Sequence, residues 1–80
     1  MIAFLKGTLV ATTLDSAVID IHGVGYQVLM SGRSLSRLGA TGETVQVLTH
    51  LQVRDDALVL YGFLNQEEKD LFIRLTSVSS

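Results

Sequence analysis

The stretch THLQVRDDALVLYGF, residues 49–63, decides the fold because it is typical of two β-strands joined by an acidic turn. Apolar and polar side chains alternate along the first of these strands, and the alternation begins at Val45, before the quoted stretch. Its apolar positions are Val45, Val47, Leu51 and Val53, and its polar positions are Gln46, His50, Gln52 and Arg54. A period of two residues indicates a strand with one buried face. A second apolar strand begins at Ala57, so the sequence predicts a projecting hairpin with Asp55 and Asp56 at its tip.

The residues alone leave two interpretations of this acidic tip open. Aspartate is frequent in turns, so ordinary turn chemistry explains the pair. The alternative is that two adjacent negative charges at an exposed tip have a function. Adjacent carboxylates at such a position lack the enclosure that shifts carboxylate pKa values, so neither a catalytic acid pair nor a metal site is expected there.

Four further elements are predicted before this hairpin. Strands are expected over about residues 3–12 and 16–21, followed by a turn or bulge at Gly23-Val24-Gly25 and a strand through Tyr26, Val28 and Met30. Residues 32–39 have the spacing of a brief helix. Five strands with a helical turn between the third and fourth are the sequence order of an OB-fold, a small Greek-key barrel. An open five-stranded sheet is the alternative that periodicity leaves open.

The last element is predicted to be a helix that begins after Asn65. Asn65 is a favourable N-cap, and Glu68 stands three residues later at capping-box spacing. Leu71, Phe72 and Leu75 form its predicted apolar stripe. We therefore expect an all-β domain over residues 1–64 and a C-terminal helical segment over residues 65–80.

Composition limits the classes of function that suit this chain. Its 80 residues are 48% hydrophobic and only 18% charged, which suggests that some apolar surface serves a partner. The net charge is −2, and the six basic residues are scattered, so tight DNA binding by these residues alone is not expected. Cysteine is absent, and no apolar run is long enough for a membrane span, so we expect a cytoplasmic protein without membrane attachment.

Other familiar sites are poorly matched by the sequence. The pair Gly23 and Gly25 lacks the third glycine and the following helix of a dinucleotide site. His22 and His50 lack companions at metal-ligand spacing, so both are expected to be structural. No nucleophile elbow is present, and the expectation is a non-catalytic protein with no metal and no cofactor.

The quoted stretch resembles the signature Thr-His-x-x-Val-Arg-acidic-Asp-x-x-x-Leu-Tyr-Gly-Phe of the RuvA family, bacterial proteins that bind Holliday junctions and load the RuvB motor. Met1-Ile2 with Lys6-Gly7 resembles that family's first strand, and Gly23-Val24-Gly25-Tyr26 resembles its second hairpin. The resemblance covers essentially all 80 residues and corresponds to the family's N-terminal domain, which has the OB-fold.

The resemblance implies a function and a role for the tip. Asp55 and Asp56 align with the family's acidic pin, which lies at the junction crossover; the family often has Glu before Asp, so Asp55 is shorter by one methylene. It implies a tetramer in the complete protein, four-way junction DNA as ligand, and RuvB, an ATPase, as a partner reached through a further C-terminal domain. A helix-hairpin-helix domain is expected to begin near residues 78–80. An OB-fold module for protein association, or a weak single-strand binder, are the rival hypotheses from the composition.

Overall fold

The computed structural model describes residues 1–76, which form five strands and two helices. The elements are β1 (Phe4–Thr12), β2 (Ser16–Ile21), β3 (Val24–Leu29), α1 (Gly32–Leu38), β4 (Thr44–Arg54), β5 (Ala57–Phe63) and α2 (Gln66–Thr76). The expected start of a further domain near residues 78–80 lies outside the described residues. Neither helix is long and apolar enough to cross a lipid bilayer.

The strands close into a barrel in the order β1-β2-β3-β5-β4. Neighbours are antiparallel except β3 and β5, which run parallel and meet at the pair Leu29 and Tyr61. The first part of β1 pairs with β4, and its last part pairs with β2. This closed five-stranded barrel with a C-terminal helix confirms the predicted OB-fold and excludes the open sheet.

One glycine allows β1 to pass between its two neighbours. A Cβ atom at Gly7 would collide with the backbone carbonyl of Asp20 and with the side chain of Ile21. Any larger residue would therefore push β1 away from β2. The Lys6-Gly7 dipeptide of the sequence marks this close approach.

The barrel interior holds apolar side chains from all five strands. Its buried apolar side chains are Leu5, Leu9, Ala17, Ile19, Val28, Met30, Val45, Val47 and Leu60. The alternation predicted for β4 is confirmed at its barrel end, because the buried residues Val45, Val47 and Thr49 share one parity, whereas in β2 the adjacent residues Ser16 and Ala17 are both buried.

The turn between β2 and β3 lies one residue earlier than the sequence predicted. His22 and Gly23 form it with φ angles of 53° and 88°, and Ile21 pairs with Val24 across it. Positive φ at both central residues is what a tight two-residue hairpin requires. The Gly23 N–H also donates to Asp20 Oδ1 at 2.8 Å. The expected turn at Gly23-Val24-Gly25 is therefore wrong, because Val24 and Gly25 already belong to β3.

The predicted C-terminal helix is present, but its apolar side is only partly packed. Asn65 Oδ1 accepts from the Glu68 N–H at 2.9 Å, which confirms the predicted N-cap. Leu71 and Leu75 are 52% and 67% exposed, although they belong to the predicted apolar stripe with Phe72. The helix turns Phe72 toward the sheet, so Leu71 and Leu75 are left at the rim of an open groove of about 490 Å³.

Candidate nucleic-acid interface

The β4–β5 hairpin extends beyond the barrel. β1 pairs with β4 only as far as Leu48, whereas β5 follows β4 to the pair Arg54 and Ala57. The six residues 49–54 rise by about 20 Å at a normal strand spacing. The hairpin thus carries its tip away from the other strands, as the sequence predicted.

Asp55 and Asp56 form the two-residue loop that closes the hairpin, and both are exposed. Asp55 has φ of 50°, in the left-handed region, which aspartate and asparagine tolerate better than most residues. Turn chemistry therefore accounts for an aspartate at position 55. Asp56 does not have a positive φ, so the backbone conformation does not explain an aspartate at position 56.

The two carboxylates of the tip are unsatisfied by the protein itself. Within residues 1–76, neither one accepts a hydrogen bond from a side chain or from a turn amide. Arg54 is the adjacent cation and is exposed. The tip therefore presents its negative charge to solvent or to a ligand.

Burial fades along the inward-facing side of β4 as the hairpin leaves the barrel. Val45 and Val47 are buried, Leu51 is half-buried and Val53 is 69% exposed. Val53 was expected on the buried face. It does lie on that face, but the barrel has already ended there, so most of its side chain stays exposed.

An aromatic cluster at the base of the hairpin holds α2. The Phe72 ring centroid lies 4.6 Å from that of Tyr61, 5.2 Å from that of Phe63 and 6.0 Å from that of His50. Such centroid distances are typical of packed aromatic pairs. His50 therefore makes a structural contact with α2.

The barrel has little aromatic surface on which the bases of a single strand could stack. The protein has five Phe and Tyr residues, all within residues 1–76, and Phe4 is the only exposed one of the five. Phe4 shares the outer face of β1 with Lys6, and its partner on β4 is Leu48. One ring beside one lysine is a small platform compared with the aromatic, basic grooves of single-strand binders.

Positive charge is dispersed over the described residues. Lys6 is on β1, Arg33 and Arg37 are on α1, Arg54 is at the hairpin tip, and Lys69 and Arg74 are on α2. Within residues 1–76, no three histidine, aspartate or glutamate side chains converge as a metal site would require. The hairpin tip, by contrast, holds two adjacent exposed carboxylates.

Two residues of the signature stretch have structural roles that sequence reasoning missed. Thr49 is fully buried and ties the N-terminus to β4, because its hydroxyl donates to the Ile2 carbonyl and its N–H donates to the Ala3 carbonyl. Gly62 lies against Met30, whose Cγ would be 3.1 Å from an added Cβ. A threonine at an inward position of an apolar strand was the available signal for the first role.

A link between the two helices was also missed. The Glu68 carboxylate accepts from the buried Ser34 hydroxyl at 3.2 Å and from the Leu64 N–H at 3.2 Å. The sequence had assigned Glu68 only to the N-terminus of α2. Its second contact joins α1 to α2 across the end of the barrel.

Comparison with known proteins settles the family of this barrel and hairpin. A family model described as the RuvA N terminal domain matches residues 1–62. The chain belongs to the RuvA N-terminal domain family. The resemblance of its signature stretch to RuvA is thereby confirmed.

Three RuvA relatives illustrate the match. Each is named Holliday junction branch migration complex subunit RuvA. The protein of Symbiobacterium thermophilum is 55% identical over 78 residues, covering 98% of this chain and 38% of the relative. That of Rhodospirillum centenum is 50% identical over 78 residues, covering 98% of this chain and 38% of the relative. That of Prosthecochloris aestuarii is 39% identical over 79 residues, covering 99% of this chain and 40% of the relative. The chain thus spans about 40% of the length of these RuvA relatives.

Proposed function

We propose that this chain is the N-terminal domain of a non-catalytic scaffold that binds four-way DNA junctions and holds them open for branch migration in recombinational DNA repair. The observation that carries the proposal is the pair of exposed carboxylates, Asp55 and Asp56, at the end of a hairpin that extends beyond the barrel. Membership of the RuvA N-terminal domain family supports it.

In this proposal, Asp55 and Asp56 act by repelling phosphates. A carboxylate about 4 Å from a phosphate in water costs about 1 kcal/mol, and physiological salt screens the repulsion beyond about 8 Å. The tip therefore disfavours only the DNA backbone that comes directly against it. A continuous duplex lying across the tip is penalised, whereas an open crossover with the backbone directed outward is accepted.

The attraction to DNA must come largely from outside these residues, because their basic side chains are scattered and their net charge is −2. We propose that the complete protein is a tetramer, so that four tips surround one crossover. We also propose that the RuvB ATPase, reached through a further domain, supplies the motor activity. A cytoplasmic location follows from this role.

The second candidate is a barrel used for protein association without DNA. The open groove beside α2 favours it, since Met30, Leu71 and Leu75 line the groove and both leucines are more than half exposed. Exposed aliphatic side chains of this kind are typical of protein contacts. The two candidates differ in whether the protein distinguishes one DNA structure from another.

The test uses a chimera in which these 80 residues replace the matching N-terminal part of the Symbiobacterium thermophilum relative. Binding to a labelled four-way junction, a duplex and a single strand is measured at several salt concentrations, with the parent relative as positive control. The proposal expects the chimera to bind the junction more tightly than the other two at every salt concentration. Preference for single strand would support a weak single-strand binder, and self-association with no DNA binding would support the association module.

A further inference from the structure

An aliphatic pair lies directly below the acidic tip. Val53 and Leu58 face each other across the hairpin, on the same side of the ribbon as the pair Leu51 and Leu60. Val53 is 69% exposed and Leu58 is 71% exposed. We name Val53 and Leu58 the apolar rung. Val53 precedes Asp55 by two residues and Leu58 follows Asp56 by two residues, while Arg54 points to the opposite side of the ribbon.

The apolar rung is not needed to fill the barrel. The buried core ends at Leu60, and both rung side chains lie beyond it with most of their surface in water. Cross-strand contact between the two side chains contributes less than about 1 kcal/mol. Two polar side chains at these positions would allow the same backbone pairing of the hairpin. The fold therefore does not require an apolar pair here, and the surface is available for a ligand.

A second copy of the chain is a poor occupant for this surface. Pairing two hairpins through their rungs would bring four aspartates together, and like charges oppose such a contact. Two aliphatic side chains on each copy also fall far short of the roughly 1,200 Å² that a stable protein interface buries. The rung suits a ligand that is held in place mainly by other contacts.

The DNA backbone is also a poor occupant, because the rung is apolar and the neighbouring carboxylates repel phosphate. The flat face of an unstacked base is neutral and largely apolar, and aliphatic side chains cover such faces where proteins open a base step. Bases at an open junction crossover lose a stacking neighbour. Their exposed faces match the chemistry of the rung.

We propose that Val53 and Leu58 pack against the exposed faces of bases at the crossover, while Asp55 and Asp56 keep phosphates away. This inference rests on the proposed function and extends it, because it assigns the hairpin an attractive contact with bases beside its repulsive tip. The rung stabilises the open form of the junction in particular. A duplex with intact stacking offers no such face.

The test compares two double variants in the chimera: V53T/L58Q, which makes the rung polar, and L14Q/V24T, which makes a similar change at two exposed residues outside the hairpin. Junction and duplex affinities are measured at two salt concentrations. Fluorescence of 2-aminopurine at the crossover reports base stacking. Circular dichroism and thermal unfolding check that each variant folds.

We expect V53T/L58Q to weaken junction binding by about threefold to tenfold, the scale of partly burying one or two aliphatic side chains, with duplex affinity unchanged. The loss should be similar at both salt concentrations because the contact is apolar, and 2-aminopurine fluorescence should change only in this variant. The control L14Q/V24T should behave as the unmodified chimera.

Three results would overturn the inference. Equal junction affinity of V53T/L58Q and the unmodified chimera would show that the rung does not contact the junction, and the proposed function would still stand. A lower association state of V53T/L58Q in sedimentation assigns the rung to a protein contact instead. A chimera that does not prefer junctions at all refutes the proposed function, and this inference with it.

Discussion

The Thr49 hydroxyl donates a hydrogen bond of 2.6 Å to the carbonyl oxygen of Ile2, so the start of the chain is tied to the middle of β4. The Thr49 N–H adds a second bond, to the Ala3 carbonyl at 2.9 Å. Threonine is therefore present at this fully buried position for its hydroxyl as well as for its shape. The signature stretch combines such structural residues with an exposed tip.

Replacement of Thr49 by valine should destabilise the domain. Valine keeps the shape but loses the hydroxyl, and the partly buried Ile2 carbonyl is left without that donor, which costs about 1 to 3 kcal/mol. Urea unfolding of T49V measures the loss of free energy. T44V on the exposed face of the same strand is the matched control, and we expect a change of less than about 0.5 kcal/mol there. Equal stability of T49V and the unmodified domain would contradict the role of this bond.

Neutralising the tip should strengthen DNA binding and reduce selectivity. In the chimera, D55N/D56N removes the repulsion of phosphates, so duplex affinity should rise more than junction affinity. Asparagine tolerates the left-handed φ of residue 55, so the free energy of unfolding should change by less than about 0.5 kcal/mol. The gain should shrink as salt rises.

The matched control for net charge is E67Q/D70N, which removes two negative charges from α2 instead of the tip. It should leave the preference for junctions in place. Weaker junction binding by a folded D55N/D56N would mean that the carboxylates make attractive contacts, and the repulsion mechanism would then be wrong.

The 80 residues alone should bind junction DNA poorly. Their six basic residues are spread over four elements, and phosphate binding depends on clustered cations. Titration of a labelled junction at near-physiological salt measures the affinity directly. Sub-micromolar binding that prefers the junction over duplex would show that the domain needs no further basic surface.

The C-terminal helix should open more readily than the barrel. No residue of α2 is buried, and its Phe72 ring supplies the aromatic contacts to β4 and β5. Amide exchange should therefore be faster across residues 67–76 than across residues 45–53. F72A should accelerate exchange in the helix with little effect on β4, whereas L75A, at an exposed position, should change neither. Equal protection of the two segments in the unmodified domain would count against this prediction.

Some features of the barrel are local and could be predicted from the sequence. Strand alternation, the acidic hairpin tip and the Asn65 cap each depend on residues close together in the chain, so their patterns are visible without a fold. The family resemblance is carried by the same kind of local signature. Asp55 and Asp56 are where the sequence placed them, and their repulsive role is our proposal.

Other features depend on where distant segments meet, and only the tertiary structure decided them. Val53 alternates correctly with the core residues, yet it is exposed because β1 stops pairing with β4 at Leu48. Leu71 continues the apolar pattern of α2, yet it is 52% exposed, whereas the neighbouring Phe72 ring packs against Tyr61 and Phe63 of the sheet. The sequence by itself determined which face of each element is apolar. Tertiary structure decided which apolar faces are covered, because burial requires a second element to be present at that place.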